Sequence, residues 1–304
     1  TPYYKNALVN KQVVTSELYR ELVKKETIAE VKRAWAYYLY AYRLHSLYSE
    51  QNDLADRLQK AGKLRYEQGD ISLLERNMTA TLAADLRSRL IQSEQDLNMA
   101  GRRFAWVSCS GRPIIPVDTA IIMYPVIEEA NVAASVYQNY YGSLVAEKKA
   151  QYKVEQSRYF PELSVGYKHQ KIAPLTGLNS WMVGVSFPLF FTPQASRVKQ
   201  ARIDSRIAQT EADMNVLTLN FKISELHQTL KKQLESIRYY TTGAIPEADA
   251  LLKSALVEFR ESETDITQFV QSINSARDIY KGYIEAVYNY NIAALELDLY
   301  STEK

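Results

Sequence analysis

Proline is confined almost entirely to one stretch of this 304-residue chain. Seven of the nine prolines lie between Pro113 and Pro193, none falls between Pro2 and Pro113 or between Pro193 and Pro246, and none follows Pro246. A proline inside a helix costs about 3 kcal/mol, so the distribution predicts helical flanks around one irregular or stranded insert. Only ten glycines accompany the nine prolines, well below their usual combined share of about 12%. That scarcity disfavours a Gly-rich nucleotide fold and an all-β sandwich.

Hydrophobic periodicity agrees. Phe269, Ile273, Ala276, Tyr280, Tyr283, Val287, Tyr290, Ala294 and Leu297 keep a 4-3 spacing over four heptads, the mark of a coiled-coil seam. Leu219, Ile223, Leu226, Leu230, Leu234 and Ile237 form a similar stripe, and Val31, Trp35, Tyr38, Tyr42 and His45 a shorter one. Long helices are expected over Thr15 to Arg65 and Gln194 to Phe259. They return antiparallel along Ser72 to Phe104 and Ile266 to Tyr300, with a further helix over Glu128 to Ser157. The second long segment would extend roughly 100 Å as one helix, with Gly243 and Pro246 as the places to bend or interrupt it.

The insert changes period. Leu163, Val165 and Tyr167, and then Trp181, Val183, Val185 and Phe187, alternate with Ser164, Gly166, Gly184 and Ser186, the pattern of two strands. Between them Lys171 to Ser180, with Pro174, Gly177 and Asn179, reads as a loop of about ten residues that allows the strands to pair as a hairpin. A lone hairpin is marginal in water, so its apolar face must meet other strands, a helix or lipid.

The two flanks repeat each other. Thr1-Pro2 recurs as Thr192-Pro193, Tyr66 matches Phe259, and Asp70-Ile71 matches Asp265-Ile266. Gly69 supplies freedom for the first chain reversal, Ser262 stands at the second, and Asp70 and Asp265 are suited to cap the helices that follow. The fold class is therefore mainly α: antiparallel coiled-coil helices in two structural repeats with one β-hairpin. Its segments are a first helical hairpin over 1–110, a connector and short helix over 111–158, the β-hairpin over 159–191, and a second helical hairpin over 192–304.

This combination resembles the TolC family of outer-membrane efflux channels. The run from Tyr159 to Tyr167, the run from Trp181 to Phe191, and Ser196-Arg-Val-Lys-Gln-Ala-Arg202 are similar to that family's second barrel hairpin and its re-entry into the long helix. Asp265-Ile-Thr-Gln-Phe-Val-Gln271, Tyr283 to Asn291 and Leu295-Glu-Leu297 resemble its heavy-metal, Cus/Czc-like branch, including TolC-like domains fused behind cation-efflux transporters of the RND class. The resemblance implies a homotrimer sharing a β-barrel in outer-membrane lipid and a periplasmic helical tunnel. It also implies a periplasmic adaptor and an inner-membrane RND transporter as partners. This chain holds the second hairpin only, and the resemblance places the first hairpin ahead of Thr1. It further implies that Tyr66, Gly69, Asp70, Ile71, Phe259, Ser262, Asp265 and Ile266 gather at the end farthest from the strands, where threefold symmetry would turn charged residues into rings. Gln268 and Gln271 stand nearest to where the family carries gating carboxylates, so a constriction there would be uncharged. Leu163, Val165, Tyr167, Trp181, Val183, Val185 and Phe187 would face lipid, with Tyr167 and Trp181 in an interface girdle.

Other chemistry is sparse. His45, His169, His227 and the lone Cys109 lie far apart and offer no zinc or copper spacing. Carboxylates such as Glu211 and Asp213 sit in helical patterns that read as solvated faces. No Gly-rich phosphate loop or nucleophile elbow occurs, so neither a cofactor nor an enzymatic role is expected. A net charge of +2 gives no basic excess for nucleic acid. The leading expectation is a passive exit duct of a tripartite pump. The alternative is a soluble coiled-coil scaffold whose hairpin packs on its own helices.

Overall fold

The computed structural model describes residues 2–112, 114–117, 122–126, 135–172, 175–186, 191–261 and 265–300. Its elements run α1 (Pro2–Gln68), α2 (Leu73–Val107), α3 (Val136–Ser157), β1 (Glu162–Ile172), β2 (Leu175–Ser186), α4 (Phe191–Tyr239), a π turn (Tyr240–Ala244), α5 (Ile245–Glu261) and α6 (Ile266–Tyr300). The expected helices form, with shifted ends. α1 begins at Pro2 rather than Thr15, because proline is tolerated in a first turn whose N–H groups have no intrahelical partner. α3 begins at Val136 because the extended Ser135 caps it, accepting from the Gln138 N–H. The expected start of that helix at Glu128 lies outside the described residues, as do Phe187 and Ser262.

The chain divides into two compact units. One comprises Thr1–Lys24, Asn131–Phe221 and Tyr300–Lys304. In it Val145 of α3 packs on Ala208 and Ala212 of α4, small residues that let two helices approach closely. Gln194 donates to the Glu155 carbonyl at 2.7 Å and Lys149 to Gln209 at 3.0 Å.

The same unit holds the β-hairpin, an antiparallel pair in which Leu163 faces Val185, Val165 faces Val183 and Tyr167 faces Trp181. Because side chains alternate with period two, these six share one face as expected. The other face carries Ser164 opposite Gly184 and Gly166 opposite Met182. The first face lies open: Leu163, Val165, Trp181 and Val183 are each more than 70% exposed. Tyr167 and Trp181 meet with ring centroids 4.9 Å apart, and Tyr167 donates to Asn179.

The second unit comprises Lys25–Ala130 and Lys222–Leu299. Its main core joins Tyr48, Ala55 and Leu58 of α1, Leu82, Ala83 and Leu86 of α2, Ala255 of α5, and Phe269 and Ile273 of α6. A second cluster places Tyr38 and Ala41 against Ala100, flanked by Trp35, Leu97 and Phe104. Among the expected seam residues of α6, Phe269, Ile273, Ala276, Val287, Tyr290, Ala294 and Leu297 are buried, while Tyr280 and Tyr283 are half-buried. Leu234 departs from its stripe and is 48% exposed, since burial passes from Leu230 through the half-buried Gln233 to Ile237.

The connector after α2 is fastened by side chains. Tyr38 donates its hydroxyl to the Ile114 carbonyl. Buried Asn291 donates to the Ile122 carbonyl and accepts from the Tyr124 N–H, both at 2.9 Å. An asparagine amide here matches a peptide edge, so an extended segment satisfies its backbone without a sheet. No helix among the described residues is long and apolar enough to cross a membrane.

Candidate functional site

The α1–α2 reversal is a Schellman turn. Gly69 adopts φ +82°, its N–H reaches the Tyr66 carbonyl, and the Asp70 N–H reaches the Arg65 carbonyl. An L side chain rarely tolerates that φ, so the glycine fits its expected role. Asp70 does not cap α2. Ser72 does, in a capping box: its hydroxyl accepts from the Glu75 N–H, and the Glu75 carboxylate accepts from the Ser72 N–H at 2.7 Å. The Schellman hydrogen bonds already commit Asp70 to ending α1, which moves the cap two residues on. Asp265 fulfils the capping expectation, accepting from the Thr267 N–H at 3.3 Å at the start of α6.

The ends of the two reversals meet. Arg65 donates to the Phe259 carbonyl at 3.2 Å, and its guanidinium carbon lies 4.7 Å from the centroid of the Phe259 ring. That ring stacks on the buried Phe269, with centroids 4.7 Å apart. Thr267 contacts the Met78 sulfur at 3.6 Å, and Arg76 lies over the exposed Tyr66 ring at 5.7 Å. Ile266 is buried, Ile71 is half-buried, and Gln268 and Gln271 are exposed. The Thr267 backbone N–H holds the Asp265 carboxyl below its ordinary value, with a smaller contribution from the Glu75 carboxyl. The Asp265 carboxyl, one residue ahead of α6, is thus within reach of the Glu75 carboxyl of α2.

α2 and α6 border a groove of about 500 Å³. Leu74, Met78 and Val270 give it apolar surface, and Asn274, Asp85 and Arg277 give it polar surface. Arg277 is largely buried and pairs with both Asp85 and Asp278. Among the described residues, no group of three or more His, Cys, Asp or Glu side chains is placed to hold a metal ion. His45 contacts Ser93, and His169 contacts Asn179.

Sequence reasoning missed Arg65, Ser72, Glu75 and Arg277. The Ser72-Leu-Leu-Glu75 spacing was a readable capping signature. No local pattern announces the Arg65 contact, whose partners stand 194 residues apart.

Paired helical hairpins with aligned breaks, a β-hairpin between them and an otherwise helical chain define a partial TolC-like fold. Solved structures give that class its members. A membrane protein from Pseudomonas aeruginosa superposes with a TM-score of 0.83 at 12% identity, over 96% of this chain and 69% of that one. The outer membrane protein VceC from Vibrio cholerae gives 0.80 at 11% identity, over 97% of this chain and 75% of that one. The MtrE outer membrane channel from Neisseria gonorrhoeae, in its open state, gives 0.76 at 13% identity, over 99% and 72%. No protein-family model matches the sequence, and no curated protein does.

Proposed function

We propose that the chain is a subunit of a passive outer-membrane and periplasmic exit duct in a tripartite efflux pump, assembled as a homotrimer. The observation that carries this reading is the hairpin. β1 has 11 residues and β2 has 12, about twice an ordinary strand and close to the 9–11 residues that a tilted strand needs to cross a bilayer. One face presents Leu163, Val165, Tyr167, Trp181, Val183 and Val185, the outward pattern of a membrane strand with aromatics for the interface. The scaffold reading needs that face packed on the chain's own helices, and its exposure argues against this.

In this reading the protein performs no catalysis. An inner-membrane RND transporter supplies the energy, and a periplasmic adaptor docks at the paired turns and the α2–α6 groove. Gln268 and Gln271 line an uncharged constriction, while Asp70 and Asp265 add negative charge near the mouth. The resemblance of the Asp265 to Gln271 and Tyr283 to Asn291 segments to the Cus/Czc-like branch supports heavy-metal cations as cargo. It equally supports a place as a domain fused to such a transporter.

Mass measurement of the full-length protein with and without detergent tests the proposal. A detergent-dependent trimer is expected, and a detergent-free monomer of the full-length protein would contradict it.

A further inference from the structure

A cavity of about 140 Å³ lies between α1 and α2, wholly within the second unit. Tyr37, Tyr40 and Tyr48 border it from one face of α1, and Arg89, Gln92 and Asp96 border it from one face of α2. The helices run antiparallel, with Tyr48 packed beside Leu86 and Tyr38 beside Ala100. Tyr48 therefore stands at the Arg89 end of the cavity, and Tyr37 and Tyr40 at the Asp96 end. The volume is well below the roughly 300–1,000 Å³ of a drug-sized pocket, so it suits a small head group.

The two ends differ in charge. At one, Arg89 donates to Asp85 at 2.8 Å and hydrogen-bonds Tyr48, so its charge is already matched. At the other, Asp96 is exposed, and among the described residues no hydrogen bond or ion pair holds its carboxylate. Seven residues of helix, about 10 Å, separate Arg89 from Asp96. The tyrosines at the acidic end are fixed from behind by α6. Tyr288 stacks on Tyr40 with ring centroids 4.5 Å apart and meets Tyr37 edge-on at 6.1 Å. Tyr288 does not border the cavity, so the stack occupies one face of Tyr40 and leaves the other to the cavity. Burial pushes the Tyr40 phenol up to about 12, so the ring stays neutral at physiological pH. Arg103, which also approaches these rings, is committed to Glu30 at 2.8 Å.

We propose that this cavity binds a small methylated ammonium ion of the choline type, its cationic head against Tyr37 and Tyr40 beside the Asp96 carboxylate and its tail toward Gln92. Tyrosine rings attract such a head through their π faces and match its methyl groups with apolar surface. Asp96 supplies the opposite charge. The Gln92 nitrogen donates to Ser88, so its carbonyl oxygen can accept from a hydroxyl tail. A bare metal ion would meet one carboxylate and no further ligand cluster, whereas a neutral molecule of the same shape would fill the space without using the charge. The site does not rest on the duct reading above.

Saturation-transfer NMR titrations of the full-length protein in maltoside detergent test the site, with choline as the probe and its uncharged carbon isostere, dimethylbutanol, as the comparison. Choline is expected to bind at millimolar concentration and at least about fivefold more tightly than the alcohol, the scale of a partly exposed cation–π contact. Asp96→Asn should weaken choline by at least about threefold and leave the alcohol unchanged. Tyr40→Leu should weaken choline to a similar degree, and Tyr40→Phe, which keeps the ring, should restore most of the loss. Asp53→Asn, an exposed position of α1 that does not border the cavity, serves as the control for net charge. Asp96→Asn removes an exposed, unpaired charge, so the comparison is read even where Tyr40→Leu does not fold. Equal affinity for choline and the alcohol, the same choline affinity in Asp96→Asn and wild type, or no transfer to choline at all would overturn the proposal. Binding is read whether or not the protein conducts, so failure of the duct reading and failure of the site are told apart.

Discussion

Arg65 and Phe259 meet twice: the guanidinium donates to the Phe259 carbonyl at 3.2 Å and lies 4.7 Å from the centroid of the same residue's ring. One side chain from the first repeat therefore grips both the backbone and the ring of the second, beside the stack of Phe259 on Phe269. Arg65→Ala is expected to cost about 1.5–3 kcal/mol, as for a hydrogen bond to a charged group. Arg65→Lys should recover only part of this, because an ammonium cannot make the hydrogen bond and lie flat on the ring together. Urea unfolding reads both variants, and wild-type stability in Arg65→Ala would remove the contact from the account.

The two caps separate by mutation. Ser72→Ala should destabilise by about 1 kcal/mol, while Asp70→Ala should stay within about 0.5 kcal/mol, as at an ordinary surface position. Thermal melts compare them directly. Equal losses would restore Asp70 as a capping residue.

That exchange of roles marks how far the sequence could be read. The presence of the long helices, though not their ends, was legible because proline is absent where it would break them and because the α6 seam keeps its period from Phe269 to Leu297. The shared faces of the strands were legible because small residues alternate with apolar ones on both, but their length was not: β1 runs to Ile172 and β2 starts at Leu175, inside the stretch expected as a loop. Asp70 and Ser72 are both capping residue types, and the choice between them was made by backbone hydrogen bonds that end α1. Leu234 fitted a 4-3 stripe, yet burial follows Gln233 instead. The meeting of Arg65 with Phe259 comes from packing between distant segments, and composition and spacing carry no record of it.

Titration should act on opposite limbs of the stability profile. The Asp265 carboxyl is held below its ordinary value, first by the Thr267 N–H, so its contribution is complete above the unfolded carboxylate value and is lost as pH falls through the lower folded value. The Tyr280 phenol is pushed up to about 12 by burial and then by its hydrogen bond to Asp249. Its contribution is complete below the unfolded value of about 10 and is lost as pH rises through the folded one. Urea midpoints measured across pH should show a flatter acid limb in Asp265→Asn and a flatter alkaline limb in Tyr280→Phe. Limbs identical to wild type would contradict the assignments.

On the hairpin, Val183 stands opposite Val165 and is 73% exposed. In a bilayer-spanning barrel Val183→Arg should cost about 2–4 kcal/mol near the midplane, measured by reversible folding of the full-length protein into lipid vesicles. Met182 faces the other side of the sheet, so Met182→Arg should cost much less. Equal costs would contradict the assignment of Val183 to the lipid face.

Planar-bilayer recording of the purified full-length protein tests the duct most directly. The account predicts discrete conductance steps that need no energy source, with a cation preference reduced when Asp70→Asn and Asp265→Asn are combined in an intact trimer. A protein that inserts into the bilayer yet passes no current would contradict it.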